Sequence, residues 1–194
     1  MHRLSTSFIL GYHGCKKSVA DALLGGEQFK HSQNSYDWLG AGIYFWQSNP
    51  VRARQFAEEV KHRRGGDWET AVVGAVIEPG LCLDLASEAG ARAVGTAYSS
   101  LVEIYEKTAK TLPTNGSGKD RLKRDLDCKV IQLLHDMRTT ERLEPIDTVS
   151  GIFVEGEPIY KDSGFYAKTH IQICVCNHKR IKGVFRVAKA DIEA

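Results

Sequence analysis

The chain has no long apolar run. Its opening stretch, MHRLSTSFIL, is too short in apolar residues for a signal peptide, and no segment approaches the roughly 20 residues that a spanning helix needs. A soluble, cytoplasmic protein is the expectation, with no membrane partner. It also lacks a charge excess, with 26 Lys and Arg against 24 Asp and Glu and a formal net charge of +2. That balance excludes a nucleic-acid binder of the strongly basic kind, whose cations dominate a whole face. The five cysteines, Cys15, Cys82, Cys128, Cys174 and Cys176, are odd in number and without the spacing of a disulfide framework. Cys174 and Cys176 share a strand face, but no second Cys or His pair joins them at zinc-finger spacing. Reduced thiols and no metal follow as expectations. Repeats and low-complexity tracts are missing too.

What remains is an ordinary globular composition, 42% hydrophobic and 26% charged, in a length of 194 residues that suits one domain. Ser7–Tyr12 reads as a short strand and Lys16–Leu24 as a helix ended by Gly25-Gly26. Ser48-Asn49-Pro50 opens a second helix, with Val51, Phe56, Ala57 and Val60 on its inner face. Thr70–Ile77 (TAVVGAVI) is strand-like, and Leu81–Leu85 follows a turn. Ser87–Lys110 reads as helical despite Gly90 and Gly95. Leu122, Leu126, Val130, Leu133, Leu134 and Met137 recur at helical spacing. Strands return at Ser150–Val154, His170–Cys176 and Ile181–Val187. Strand-rich ends around a helical insert at about 86–140 give an α+β fold in one domain, 1–194.

Two short motifs carry chemistry. Tyr12-His13-Gly14-Cys15 stands at the end of the first expected strand. About thirty residues on comes Leu39-Gly40-Ala41-Gly42-Ile43-Tyr44-Phe45-Trp46. The second is no phosphate loop, because Gly40-Ala41-Gly42 lacks a third glycine and the Lys-Ser/Thr ending. Each motif alone fits a structural role. Together, with Arg52-Ala53 to Ala57 at the following helix, they resemble the ADP-ribosyltransferases related to the poly(ADP-ribose) polymerases, in order and in spacing. The resemblance covers residues 8–60 closely and 165–188 more loosely.

The resemblance implies a split, mostly antiparallel sheet that clasps NAD⁺ as co-substrate. It also implies transfer of ADP-ribose with release of nicotinamide. His13 would hold a ribose hydroxyl of the adenosine side, and the backbone of Gly14 would bond the nicotinamide amide. Tyr44 would stack on the nicotinamide ring, with Phe56 as a second wall. Cys15 replaces the family's Ser or Thr and supplies a weaker donor. Where the family has its Glu, this chain has Gln172, which can hold hydroxyls but carries no charge. Three readings follow: transfer of single units only, a substitute carboxylate from Glu155 or Glu157, or binding of NAD⁺ or ADP-ribose without turnover. His170 shares a strand face with Gln172.

The basic runs Lys61-His62-Arg63-Arg64, Arg121–Lys129 and His178-Lys179-Arg180 read first as solvated faces. If they converge, they suit a phosphodiester acceptor, with Trp38 and Trp46 available to stack an unpaired base. The expected acceptor is a macromolecule, with single-stranded RNA or DNA slightly preferred to a protein side chain. A free-standing transferase of this size resembles the toxin and phage-defence members of the superfamily, which leaves room for an antitoxin or inhibitor partner.

Overall fold

A computed structural model describes residues 7–117, 120 and 122–193. Among them the chain runs β1 (Ile9–Lys16), α1 (Lys17–Leu24), β2 (Ile43–Gln47), α2 (Pro50–Arg63), β3 (Thr70–Ile77), β4 (Cys82–Asp84), α3 (Glu88–Lys107), α4 (Asp125–Thr140), β5 (Thr148–Phe153), β6 (His170–Val175), β7 (Ile181–Arg186) and α5 (Lys189–Ile192). Arg121 of the middle basic run and residues 1–6 of the N-terminal stretch lie outside the described residues. The strands form an open sheet in the order β4-β5-β6-β2-β1-β3-β7, antiparallel except for β4 beside β5. The fold is α+β.

β1 runs on beyond the expected Tyr12, because Gly14, Cys15 and Lys16 continue the ladder with Val72, Ala71 and Thr70 of β3. His13 is therefore a mid-strand residue, not a strand-end one. Against β2 the ladder is much shorter and registers only Gly11↔Gln47 and Tyr12↔Trp46. The sheet is continuous, yet its central seam parts after Tyr12.

Strand alternation gives two faces. One carries Ile43, Phe45, Val73, Ile77, Ile173 and Val175, covered by Ala20 and Leu23 of α1 and by Phe29. The other is divided between two groups of helices. α3 and α4 cover Tyr44, Cys174 and Val149 through Leu101, Val130, Ile131 and Leu134. α2 covers Trp46, Val72 and Tyr12 through Ala53 and Phe56.

The Asn49 side chain accepts the Arg52 N–H and Pro50 fills the first turn, so α2 starts where the sequence indicates. Its fully buried residues are Arg52, Ala53 and Ala57, whereas Val51, Phe56 and Val60 are half-buried. The two alanines let α2 lie directly on β1, where a Cβ on Gly14 would meet Ala53 O at 1.9 Å. α4 begins at Asp125 rather than at Leu122, which precedes the helix and is exposed. No helix among the described residues is long and apolar enough to cross a membrane.

Candidate active site

The parted seam brings the two motifs together. Where the β1–β2 ladder stops, His13 Nδ1 lies 2.9 Å from the Tyr44 carbonyl oxygen. A carbonyl only accepts, so Nδ1 carries the proton. The ring packs edge-on to Phe29 and tilted against Phe45, and burial pushes its pKa below the usual histidine range. A neutral ring donor thus replaces a backbone N–H. The Ser48 N–H bonds Leu10 O, so even-numbered β1 residues turn their peptide groups toward β2. By the same alternation Gly14 presents its peptide edge to the parted seam. Its missing side chain makes room for α2.

Tyr44 projects from the opposite face to His13. It packs in the α3–α4 core, and its hydroxyl accepts the Leu39 N–H at 3.0 Å and donates to Gly40 O at 2.8 Å. Burial pushes the phenol far above its usual pKa. Gly40 has φ +82°, and a Cβ on Gly42 would meet Cys174 Sγ at 2.4 Å. The Gly-Ala-Gly turn is therefore required by a left-handed residue and by close approach to β6. Phe56, expected as the wall opposite Tyr44, instead meets Trp46 at 4.8 Å. The two rings belong to different core clusters.

Gln172 registers with Trp46 on β2 and Gly151 on β5. Both ends of its amide are engaged. Oε1 accepts the Trp38 indole N–H at 2.7 Å, and Nε2 lies 3.1 Å from His170 Nε2. His170 Nδ1 is 2.6 Å from Lys168 O, which fixes the proton on Nδ1 and leaves Nε2 to accept from the amide. The direction of every bond is thereby set, from Trp38 through Gln172 and His170 to the Lys168 carbonyl, with His170 neutral. Burial lowers the pKa of His170, which suits this arrangement.

Glu155 and Glu157 separate sharply. Glu155 is 5% exposed and receives Arg52 Nη2 on both oxygens, at 3.1 and 2.9 Å; Glu157 is exposed. Glu155 is thus no solvated turn residue, although it closely follows a strand. Its Oε2 stands 3.9 Å from His170 Nδ1. Arg52 also reaches Glu59, which in turn pairs with Lys168. Sequence reasoning used Arg52 only as part of a helix-start match and missed it as the cation of this cluster. The available signal was its place beside Ala53 on the buried stripe, since a buried guanidinium requires a carboxylate.

One further expectation changes. Trp46 is only 2% exposed, packed at a tilt against Phe56 and His170, so it presents no face to a base from solvent. Cys15 is half-buried against the core with its thiol pushed up to about 11, so it stays protonated. The basic runs are held by different partners. Arg63 lies over Phe56, Arg124 over Trp38 and Phe153, and Arg180 pairs with Asp147 and Glu78. Compared with protein-family models, curated proteins and solved structures, the chain matches none.

Proposed function

We propose that the chain is a mono-ADP-ribosyltransferase with a sheet of the ADP-ribosyltransferase type, cleaving NAD⁺ and passing ADP-ribose to a macromolecular acceptor. One observation carries the reading. The three residues that the resemblance aligns with the family's motif, His13, Tyr44 and Gln172, lie on adjacent strands β1, β2 and β6, the first two at the seam that parts after Tyr12.

In the reaction the C1′–N bond of the nicotinamide ribose breaks and its electron pair leaves with nicotinamide. The leaving group departs neutral from a cation, so it needs no general acid. The acceptor nucleophile attacks C1′ and gives up its proton, while the ribose passes through an oxocarbenium-like state stabilised by orientation and electrostatics. The peptide edge of Gly14 suits the nicotinamide amide. Tyr44, anchored by its hydroxyl, supplies the ring. Gln172 holds hydroxyls and supplies no charge, which fits single-unit transfer. Glu155, 3.9 Å from His170 and paired with Arg52, is the carboxylate that supplies charge or takes the acceptor proton in this reading.

A non-catalytic module that binds NAD⁺ or ADP-ribose is the second reading. It is favoured by the closed bonding of Gln172 and by the ion pair that already neutralises Glu155. Incubating the pure protein with NAD⁺ and measuring nicotinamide separates the two. Labelled NAD⁺, with nuclease and protease digestion of the product, identifies the acceptor, for which we favour single-stranded nucleic acid.

A further inference from the structure

α3 contains two glycines, and the fold explains only one of them. A Cβ on Gly90 would meet Asp84 O at 2.0 Å, so the close approach of the α3 start to β4 demands glycine there. A Cβ on Gly95 would meet nothing within 4 Å, and Gly95 lies in mid-helix without a positive φ. Glycine at such a place weakens a helix relative to alanine. No neighbour offsets that cost. What the missing side chain does leave open is a cavity of about 470 Å³ between α3, α4 and the loop that carries Trp38, of which Gly95 is a lining residue.

The rest of the lining narrows the ligand. Val94 and Val130 give apolar walls, Trp38 and Tyr98 give two aromatic rings, and Arg124 and Asp127 add a donor and an acceptor. The Trp38 indole N–H is already bonded to Gln172, so this residue lines the cavity as an aromatic wall and adds no free polar edge. The Arg124 guanidinium lies over Trp38 at 5.0 Å and pairs with Asp127 at 3.8 Å, and Asn115 holds the Asp127 carboxylate at 2.8 Å, so the two charges reach the cavity as a fixed pair. An aliphatic ligand has no use for the charged pair, and an ion has no use for the aromatic and apolar walls. A flat heteroaromatic ring with donors and acceptors on its edge uses both, and a nucleobase is such a ring. Lys123 and Lys129, both exposed, neighbour the lining residues Arg124 and Val130 in sequence and could serve an attached phosphodiester backbone.

We infer that this cavity takes an unpaired nucleobase of the acceptor strand, and that a small residue at position 95 leaves its mouth clear. The nucleobase site follows from the cavity alone, whereas its assignment to the acceptor rests on the transferase reading. The adenine of NAD⁺ is the other source of a base. His13, the expected adenosine-side anchor, lies on the opposite sheet face, among Phe29 and Phe45. The cavity therefore belongs to the strand that receives ADP-ribose. Through Trp38 it adjoins Gln172, so a seated base bears directly on the bonded chain that orients the amide.

The test uses the full chain and two single-stranded pentanucleotides, one complete and one with its central base removed. Affinities are measured for the wild type, Gly95→Ala and Gly95→Leu, with thermal unfolding of each. The wild type should bind the abasic strand at least ~10-fold more weakly, the loss of one stacked base. Gly95→Ala should melt higher and keep that discrimination. Gly95→Leu should melt no lower than the wild type, obstruct the cavity and bind both strands alike. Gly95→Leu that discriminates like the wild type overturns the site, as does equal binding of both strands by the wild type. Displacement of the complete strand by NAD⁺ or ADP-ribose overturns the acceptor assignment in favour of the co-substrate's adenine. Nicotinamide release is read in parallel without oligonucleotide. Its absence, with base discrimination intact, sinks the transferase reading and leaves the nucleobase site standing.

Discussion

His13 Nδ1 donates to the carbonyl of Tyr44 across 2.9 Å, so a side chain joins two strands whose own ladder stops one residue earlier. The residue expected to anchor substrate is thus also a clasp of the fold. His13→Ala should remove NAD⁺ cleavage and also lower stability by about 1–3 kcal/mol, since it orphans the Tyr44 carbonyl. Urea unfolding reads the second effect. An unchanged midpoint with unchanged slope would mean that the ring does not close the seam.

Tyr44 separates ring from hydroxyl. The ring is what the proposed chemistry uses; the hydroxyl holds Leu39 and Gly40. Tyr44→Phe should unfold more easily, by about 1–3 kcal/mol, because it leaves the buried Leu39 N–H unpaired and the Gly40 carbonyl with only the Cys174 thiol as donor. Its NAD⁺ affinity should stay within a few-fold of wild type, while Tyr44→Ala loses turnover. Equal activity of Tyr44→Ala and wild type, measured by nicotinamide release, would defeat the family resemblance at its second motif.

Such double duty marks the limit of what could be read from the chain alone. Thr70–Ile77 was legible to the residue, because a β-branched run bounded by turn residues has one local solution. The Asn49-Pro50 start of α2 was legible for the same reason. The extent of β1 was not, because Gly14 and Cys15 are held in strand by β3, which lies more than fifty residues on. Leu122 fitted the helical spacing by coincidence and stands outside α4. Arg52 and Glu155 are 103 residues apart, and no local pattern announces that one buries the other. His13 and Tyr44 were found as candidates, while their opposite faces emerged only from the register.

The buried ion pair gives a test of Glu155 in which stability and catalysis can be told apart. Glu155→Gln leaves Arg52 without its main partner and should cost about 3–5 kcal/mol. The double variant Arg52→Met, Glu155→Leu should recover most of that loss, because apolar replacement of a buried pair is close to neutral. Neither should recover the rate, which is expected to fall ~10²–10⁴-fold on loss of a general base. Glu157→Gln, at an exposed site, should stay within about twofold. A folded double variant with wild-type turnover would remove Glu155 from the reaction.

Acid should destabilise the fold through two histidines. Burial holds His13 and His170 below the usual value, so in the folded state they stay neutral where the unfolded chain binds protons. Their contribution is fully present above the unfolded pKa of about 6.5 and is lost as pH falls below it, at up to ~1.4 kcal/mol per pH unit for each proton. Unfolding free energies between pH 7.5 and 5 should show this decline, and His170→Gln should flatten it. A flat profile in the wild type would contradict the neutral, directionally bonded state of both rings.

The central claim is NAD⁺ cleavage at the seam where β1 and β2 part. Its most direct test is nicotinamide release from NAD⁺ by the purified chain, measured with and without single-stranded RNA, single-stranded DNA and a protein lysate. Release above the spontaneous rate, stimulated by single-stranded nucleic acid and lost in Tyr44→Ala, is the result expected. Tight binding of NAD⁺ with no nicotinamide released under any of these conditions would contradict the account and leave a binding module in its place.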